Sequence, residues 1–227
     1  MKGVAIHTVD FGFNQCYIIR SGGSVMIDAG PPNRGDEFLE AIRRIPMEPE
    51  EIELIVLTHG HFDHIGSARE IRNLTGAKIA IHRLDRECLE GPINRMPKGV
   101  GAWGGLLRGA LPILTPFIHA PKCDVDIVIG DDGMALCDLG IPGRVIHTPG
   151  HTAGSVSVLL DSGDAFVGCM AQNKFPLRLR PGLPVLADDI EEVKESWKHL
   201  LELGVERIYP GHGEPFPADI IQESLDL

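Results

Sequence analysis

The chain has 227 residues, 43% of them hydrophobic and 23% charged, with a formal net charge of −11. That length supports one well-buried core, the composition is that of an ordinary globular protein, and the acidic balance works against a polyanionic partner such as nucleic acid. The N-terminus enters strand-like sequence with no signal pattern. The nearest candidate span, Leu111 to Ile118, is broken by Pro112 and Pro116, and the five cysteines form no C-x-x-C pair, so a soluble cytoplasmic protein is expected.

In chain order, Val4-Ala5-Ile6, Gln15 to Arg20 and Val25 to Asp28 read as short strands, and Asp36 to Ile45 as an amphipathic helix stopped by Pro46. Leu54 to Thr58 is a buried strand, Ile65 to Leu74 a helix ending near Gly76, Lys78 to Ile81 a strand and Leu84 to Leu89 a short helix. Residues 91 to 122, rich in Gly and Pro, read as an inserted flap carrying Trp103, Leu106, Leu107 and Phe117, which could roof an apolar pocket or form a homodimer contact. Strands follow at Val125 to Ile129, Met134 to Cys137, Arg144 to His147, Ser155 to Leu160 and Ala165 to Val167. A loop over 170–187 leads to a helix at Asp188 to Leu203, a strand at Arg207 to Tyr209 and a helix at Pro217 to Leu225. Two successive halves that mix strands and helices predict two packed sheets with helices outside, in a single domain over 1–227.

The chemistry concentrates in Thr58-His59-Gly60-His61-Phe62-Asp63-His64, at a strand-to-helix junction. Three imidazoles and a carboxylate at the end of a rigid strand are donors suited to zinc or a similar ion. Two further histidines follow Pro-Gly turns after apolar strands, His151 in Pro149-Gly150-His151-Thr152 and His212 in Pro210-Gly211-His212. A lone histidine in such a turn is more often a hydrogen-bonded loop residue. Two copies of the arrangement beside the first cluster favour a shared ligand role. His7, His82, His119, His147 and His199 lack a motif and read as structural, with His119 in the flap placed to meet a substrate.

With its complete His-x-His-x-Asp-His at 59 to 64, Asp28-Ala29-Gly30 after an early strand and Pro-Gly-His-Thr at 149 to 152, the chain resembles the metallo-β-lactamase superfamily over nearly its whole length. The resemblance implies an α/β fold, a four-layer αβ/βα sandwich of two mixed sheets with helices on the outer faces. It further implies that His59, His61 and His151 hold one metal, that Asp63, His64 and His212 hold a second, and that Asp28 orients the ligand loop. One or two divalent ions are expected, zinc first, with Fe2+ and Mn2+ as alternatives. Where the family usually has a bridging aspartate this chain has Cys169, which reads either as a replacement ligand or as a small buried residue.

A bound divalent ion lowers the pKa of a coordinated water towards about 7, so the expected reaction is hydrolysis of an ester, thioester, lactone or amide of a small molecule, with Asp63, His61 and His212 in catalytic roles. Lys174, Arg178 and Arg180, with Trp103 from the flap, are candidate substrate contacts. The alternatives are a mononuclear iron persulfide dioxygenase on the same scaffold, a phosphodiesterase, and a non-catalytic metal-binding scaffold.

Overall fold

Strands that are apolar on both faces need cover on both sides, and the alternation along β2 (Gln15–Arg20), after β1 (Ala5–Asp10), shows how this chain supplies it. Tyr17 and Ile19 face one core while Cys16 and Ile18 face another. The computed structural model describes residues 3–91, 96–114 and 121–225. After β3 (Ser24–Ile27), α1 (Gly35–Ile42) and β4 (Leu54–Val56), the chain continues through α2 (Phe62–Ile65), α3 (Ala68–Thr75), β5 (Lys78–His82) and α4 (Arg86–Glu90). Then come α5 (Gly101–Leu114), β6 (Ile127–Ile129), β7 (Met134–Ala135), β8 (Gly143–His147), β9 (Val156–Leu160) and β10 (Asp164–Gly168). α6 (Ile190–Glu202), β11 (Arg207–Pro210), β12 (Phe216–Pro217) and α7 (Asp219–Leu225) complete the order.

Among the described residues the strands form two six-stranded sheets, β1-β2-β3-β4-β5-β6 and β12-β11-β10-β9-β8-β7. Both are mixed: β3, β4, β5 and β6 run parallel after two antiparallel strands, and β10 and β11 are the parallel pair of the second sheet. Tyr17, Ile27, Val56, Val145, Val158 and Phe166 fill the space between the sheets. Ile18, Met26, Ile55 and Ile79 meet Phe38 of α1 and Ile71 of α3 on one outer face. Ala165, Val167 and Ile208 meet Val193 and Trp197 of α6 and Ile221 of α7 on the other. Four layers result, helix, sheet, sheet and helix, as the sequence reading expected.

The boundaries differ where propensity and packing disagree. α1 ends at Ile42 rather than at Ile45, and the helix expected from Pro217 starts at Asp219, after a two-residue strand, β12, that the sequence reading did not expect. The larger correction is in the flap, where Gly101–Leu114 forms a helix despite its glycines. Glycine here permits contact: a Cβ on Gly104 would lie 2.0 Å from the Val185 carbonyl, so only a bare backbone lets α5 press onto the loop over 170–187. Backbone bonds from Val100 N–H to Val185 and from Ala187 N–H to Lys98 seam the two segments together. No helix of the described residues is long and apolar enough to cross a membrane.

Candidate metal centre

The ligand motif begins where β4 ends. Asp28, directly after β3, sits at φ 60, a left-handed conformation uncommon outside glycine and characteristic of constrained functional positions. From there its carboxylate accepts the Thr58 N–H at 2.7 Å, the Thr58 hydroxyl at 2.9 Å and the His64 Nδ1–H at 2.7 Å. His59 and His61 thus follow the strand end, His61 in extended chain, while Asp63 and His64 come from the turn of α2 that follows.

Three turns of the second sheet meet this motif. His151 follows β8, and its Nδ1–H donates to the Leu186 carbonyl at 2.8 Å, which leaves Nε2 3.0 Å from His61 Nδ1. His212 follows β11, and its Nδ1–H donates to the Phe13 carbonyl at 3.1 Å, leaving Nε2 3.3 Å from Asp63 Oδ2. Cys169 follows Gly168, whose φ of +52 and closeness to Thr58 tolerate no side chain: a Cβ would lie 2.4 Å from the threonine hydroxyl. That bend carries Cys169 Sγ to 3.2 Å from His64 Nε2.

Donor atoms of His59, His61 and His151 lie within 4.8 Å of one another, as do those of Asp63, His64 and His212. His59, His64 and Cys169 form a third such group that shares members with both, so the thiol stands between the two triads. Ligand bonds of about 2.0–2.3 Å put donors around one ion roughly 3–4 Å apart, and this donor set fits a divalent metal. His59 Nε2 supports the fit: it is buried and makes no hydrogen bond within the chain.

The electrostatics agree. Burial, and then the neighbouring imidazoles, hold His59 and His61 below the ordinary imidazole range, so both are neutral and keep a lone pair at neutral pH. Burial opposes charge on His64 and His212 as well. The Cys169 thiolate leads the effects that outweigh it, with Asp28 and Asp63 at His64 and Asp63 at His212, lifting His64 well above its ordinary value and His212 to about 9. Burial would also raise Cys169 and Asp63, yet His64 and His212 bring both below their ordinary values, Cys169 well below. Two anions and a ring of imidazoles converge on one buried volume, where a bound cation would take the place of the protons on His64 and His212.

Sequence reasoning missed Asp85 and Asn14. The fully buried Asp85 carboxylate accepts the Gly60 N–H at 2.9 Å and the Thr152 hydroxyl at 2.7 Å, tying the turn that carries His59 and His61 to the turn that carries His151. Asn14 Nδ2 donates to Asp63 Oδ2 at 3.1 Å from the turn between β1 and β2. Neither belongs to a motif, and only the strand pairing that brings distant turns together exposes their roles.

Beside the donors opens a cavity of about 330 Å³, whose described lining includes His61, Asp63, His151, Cys169 and His212 together with apolar side chains of α5 and of the loop over 170–187. The expected substrate contacts Lys174, Arg178, Arg180 and Trp103 are not among those lining residues. The Lys174 ammonium donates to the Gly12 carbonyl, the Arg178 guanidinium to the carbonyls of Arg180 and Leu183, and Arg180 is exposed. Trp103 Nε1–H donates to the Pro176 carbonyl at 2.9 Å on the outside of the roof. Leu107 does line the cavity, Leu106 is exposed, and Phe117 and His119 lie outside the described residues.

A second group, His82, Asp131 and His147, has donors equally close together. Its two rings stack 4.1 Å apart and 9° from parallel, so their in-plane lone pairs do not converge on one point, and Arg83 holds the carboxylate at 2.7 Å.

Comparison with known proteins follows the same lines. A family model described as the metallo-beta-lactamase superfamily matches residues 9–212. Probable metallo-hydrolase YflN of Bacillus subtilis is 28% identical over 212 residues, covering 88% of this chain and 79% of its own length. Beta-lactamase-like protein 2 homolog of Drosophila melanogaster is 26% identical over 211 residues, covering 92% of this chain, which spans only 60% of that relative. Among solved structures, TTHA1623 in a di-iron-bound form is 25% identical, with a TM-score of 0.65 over 96% of each chain. The family match runs from β1 through His212, the last of the converging donors, and on it the chain belongs to the metallo-β-lactamase superfamily.

Proposed function

We propose that the protein is a metal-dependent hydrolase that cleaves an ester, thioester, lactone or amide bond of a small molecule. The observation that carries this reading is the convergence of six histidine and carboxylate donors and one thiol at the floor of a cavity of ligand size. His59, His61 and His151 would hold one divalent ion and Asp63, His64 and His212 a second, with Cys169 between them. Bound there, a divalent metal supplies Lewis acidity and water activation near neutral pH.

The chain's own groups do the remainder. Asp63, its carboxylate held ionised by His64 and His212 against the effect of burial, sits at the cavity floor as the acceptor for the proton of an attacking water. Asn14 Nδ2, donating to Asp63 Oδ2, and Asp28, accepting from His64, fix the orientation of that pair. His61 and His212 line the same floor and position the reacting bond against Asp63.

Elemental analysis of protein purified without added metal, beside turnover of a panel of esters, thioesters, lactones and phosphodiesters, tests the reading. Zinc or manganese with hydrolysis is the expected result, and His61→Ala or Asp63→Ala should reduce kcat/KM by about 10²–10⁴-fold. Full turnover in either variant would sink the assignment of roles. Iron with oxygen consumption would favour a dioxygenase, a reading the di-iron form of TTHA1623 keeps in view, and inertness across the panel would favour a metal-binding scaffold.

A further inference from the structure

The cavity has a reactive floor and an apolar upper part. Leu107 and Leu111, one turn apart on α5, face Pro176, Leu177 and Leu186 of the loop over 170–187, and Phe62 of α2 closes the side. Leu177, Leu186 and Val185 form a small apolar cluster with the two α5 leucines, separate from the three cores of the sandwich. The described polar side chains of this upper part are uncharged: Asn14 donates to Asp63 and keeps a buried Oδ1 without a partner, and the Gln172 carbonyl oxygen accepts from Val185 N–H. Of the loop's cations, Lys174 and Arg178 bond to backbone carbonyls and Arg180 is exposed, and none of the three lines the cavity. A carboxylate or phosphate at the far end of a bound substrate would be stripped of water without an opposite charge among the described lining residues, which is strongly unfavourable.

We infer that this cavity selects a substrate whose acyl part is an uncharged apolar chain, seated between α5 and the loop over 170–187 with its carbonyl at the donor floor. The volume, about 330 Å³, holds on the order of ten heavy atoms at the ~30 Å³ that a water-sized group occupies in a liquid. That room corresponds to a chain of medium length, up to about eight carbons. The reaction named here rests on the hydrolase reading above, whereas the selectivity rests on the cavity walls alone.

Two measurements on the zinc-loaded protein separate these. Calorimetric titration with butanol, hexanol and octanol reads the cavity without chemistry. Affinity should rise about threefold to fourfold for each methylene from butanol to octanol. Leu107→Asp should abolish the chain-length dependence, while Leu107→Met, which keeps an apolar side chain of similar volume, should retain it. Turnover of p-nitrophenyl acetate, hexanoate, octanoate and the monoester of succinate then reads the reaction, with octanoate expected fastest. Binding that ignores chain length overturns the inference. Chain-dependent binding with no ester turned over leaves the inference standing and sinks the hydrolase reading, and turnover fastest for the succinate ester does the reverse.

Discussion

Asp85 belongs to neither of the proposed metal triads, yet it fixes the distance between two of the turns that form them. By accepting from the Gly60 backbone and the Thr152 hydroxyl, it sets where His59 and His61 stand relative to His151. Supporting groups of this kind typically contribute 10–100-fold in metal affinity, so Asp85→Ala is expected to weaken zinc by about that factor in chelator competition while the fold persists. Unchanged affinity would mean that the sandwich alone positions the turns. Asp63 and the histidines were legible in the sequence because their spacing and flanking glycines form a pattern, whereas Cys169 stood out only through the resemblance, as the residue in place of an aspartate. Asp85 was not, because a single aspartate after a strand carries no signal until the partner turn lies against it. Lys174, Arg178 and Arg180 misled for a related reason. In a loop crowded with prolines and glycines, backbone carbonyls lack strand or helix partners, and two of the three cations satisfy them rather than a substrate.

At the level of elements, α6 does more than cover the second sheet. Its cap, Asp189, accepts from the N–H groups of Glu191 and Glu192 at 3.0 and 3.1 Å, and backbone bonds from Asp188 and Asp189 reach the carbonyls of His151 and Gly150. The start of the helix therefore grips the turn that presents His151, closely enough that a Cβ on Gly150 would lie 2.4 Å from Val193 N. Asp189→Ala should cost about 1 kcal/mol, seen as a melting temperature lower by roughly 2–4 °C for a chain of this size. No shift would show the cap to be replaceable by water. Helix periodicity revealed α1, α3 and α6 to within a few residues because their apolar stripes face a sheet. It failed at α5, whose glycines look like loop signals and are instead the price of a close helix-to-loop contact.

On the scale of the whole molecule, the candidate donors join the two halves of the chain. His59, His61, Asp63 and His64 stand past the end of β4 in the first sheet, and His151, Cys169 and His212 on turns of the second. An ion held by both sets would cross-link the layers in the folded state only. Zinc at a thousandfold excess over its Kd is then expected to stabilise the fold by about 4 kcal/mol, raising the melting temperature by roughly 10 °C. Chelator should reverse the shift, and a melting curve indifferent to both would argue against an ion spanning the layers. Two packed sheets with helices outside were legible because strands and helices recur in two successive halves, and the four-layer order was what the resemblance implied. The apolar roof over the donors was not, because its walls come from segments whose sequences read as loop.

That roof contains an optical gauge. Of the chain's two tryptophans, Trp197 is fully buried in the second outer core with its N–H on the Met170 carbonyl, whereas Trp103 is 47% exposed and bonds from α5 to Pro176. Any separation of α5 from the loop beneath it must break that bond and wet the Trp103 indole while leaving Trp197 dark to added quencher. Acrylamide quenching of the unlabelled protein would therefore report how tightly the compartment is shut.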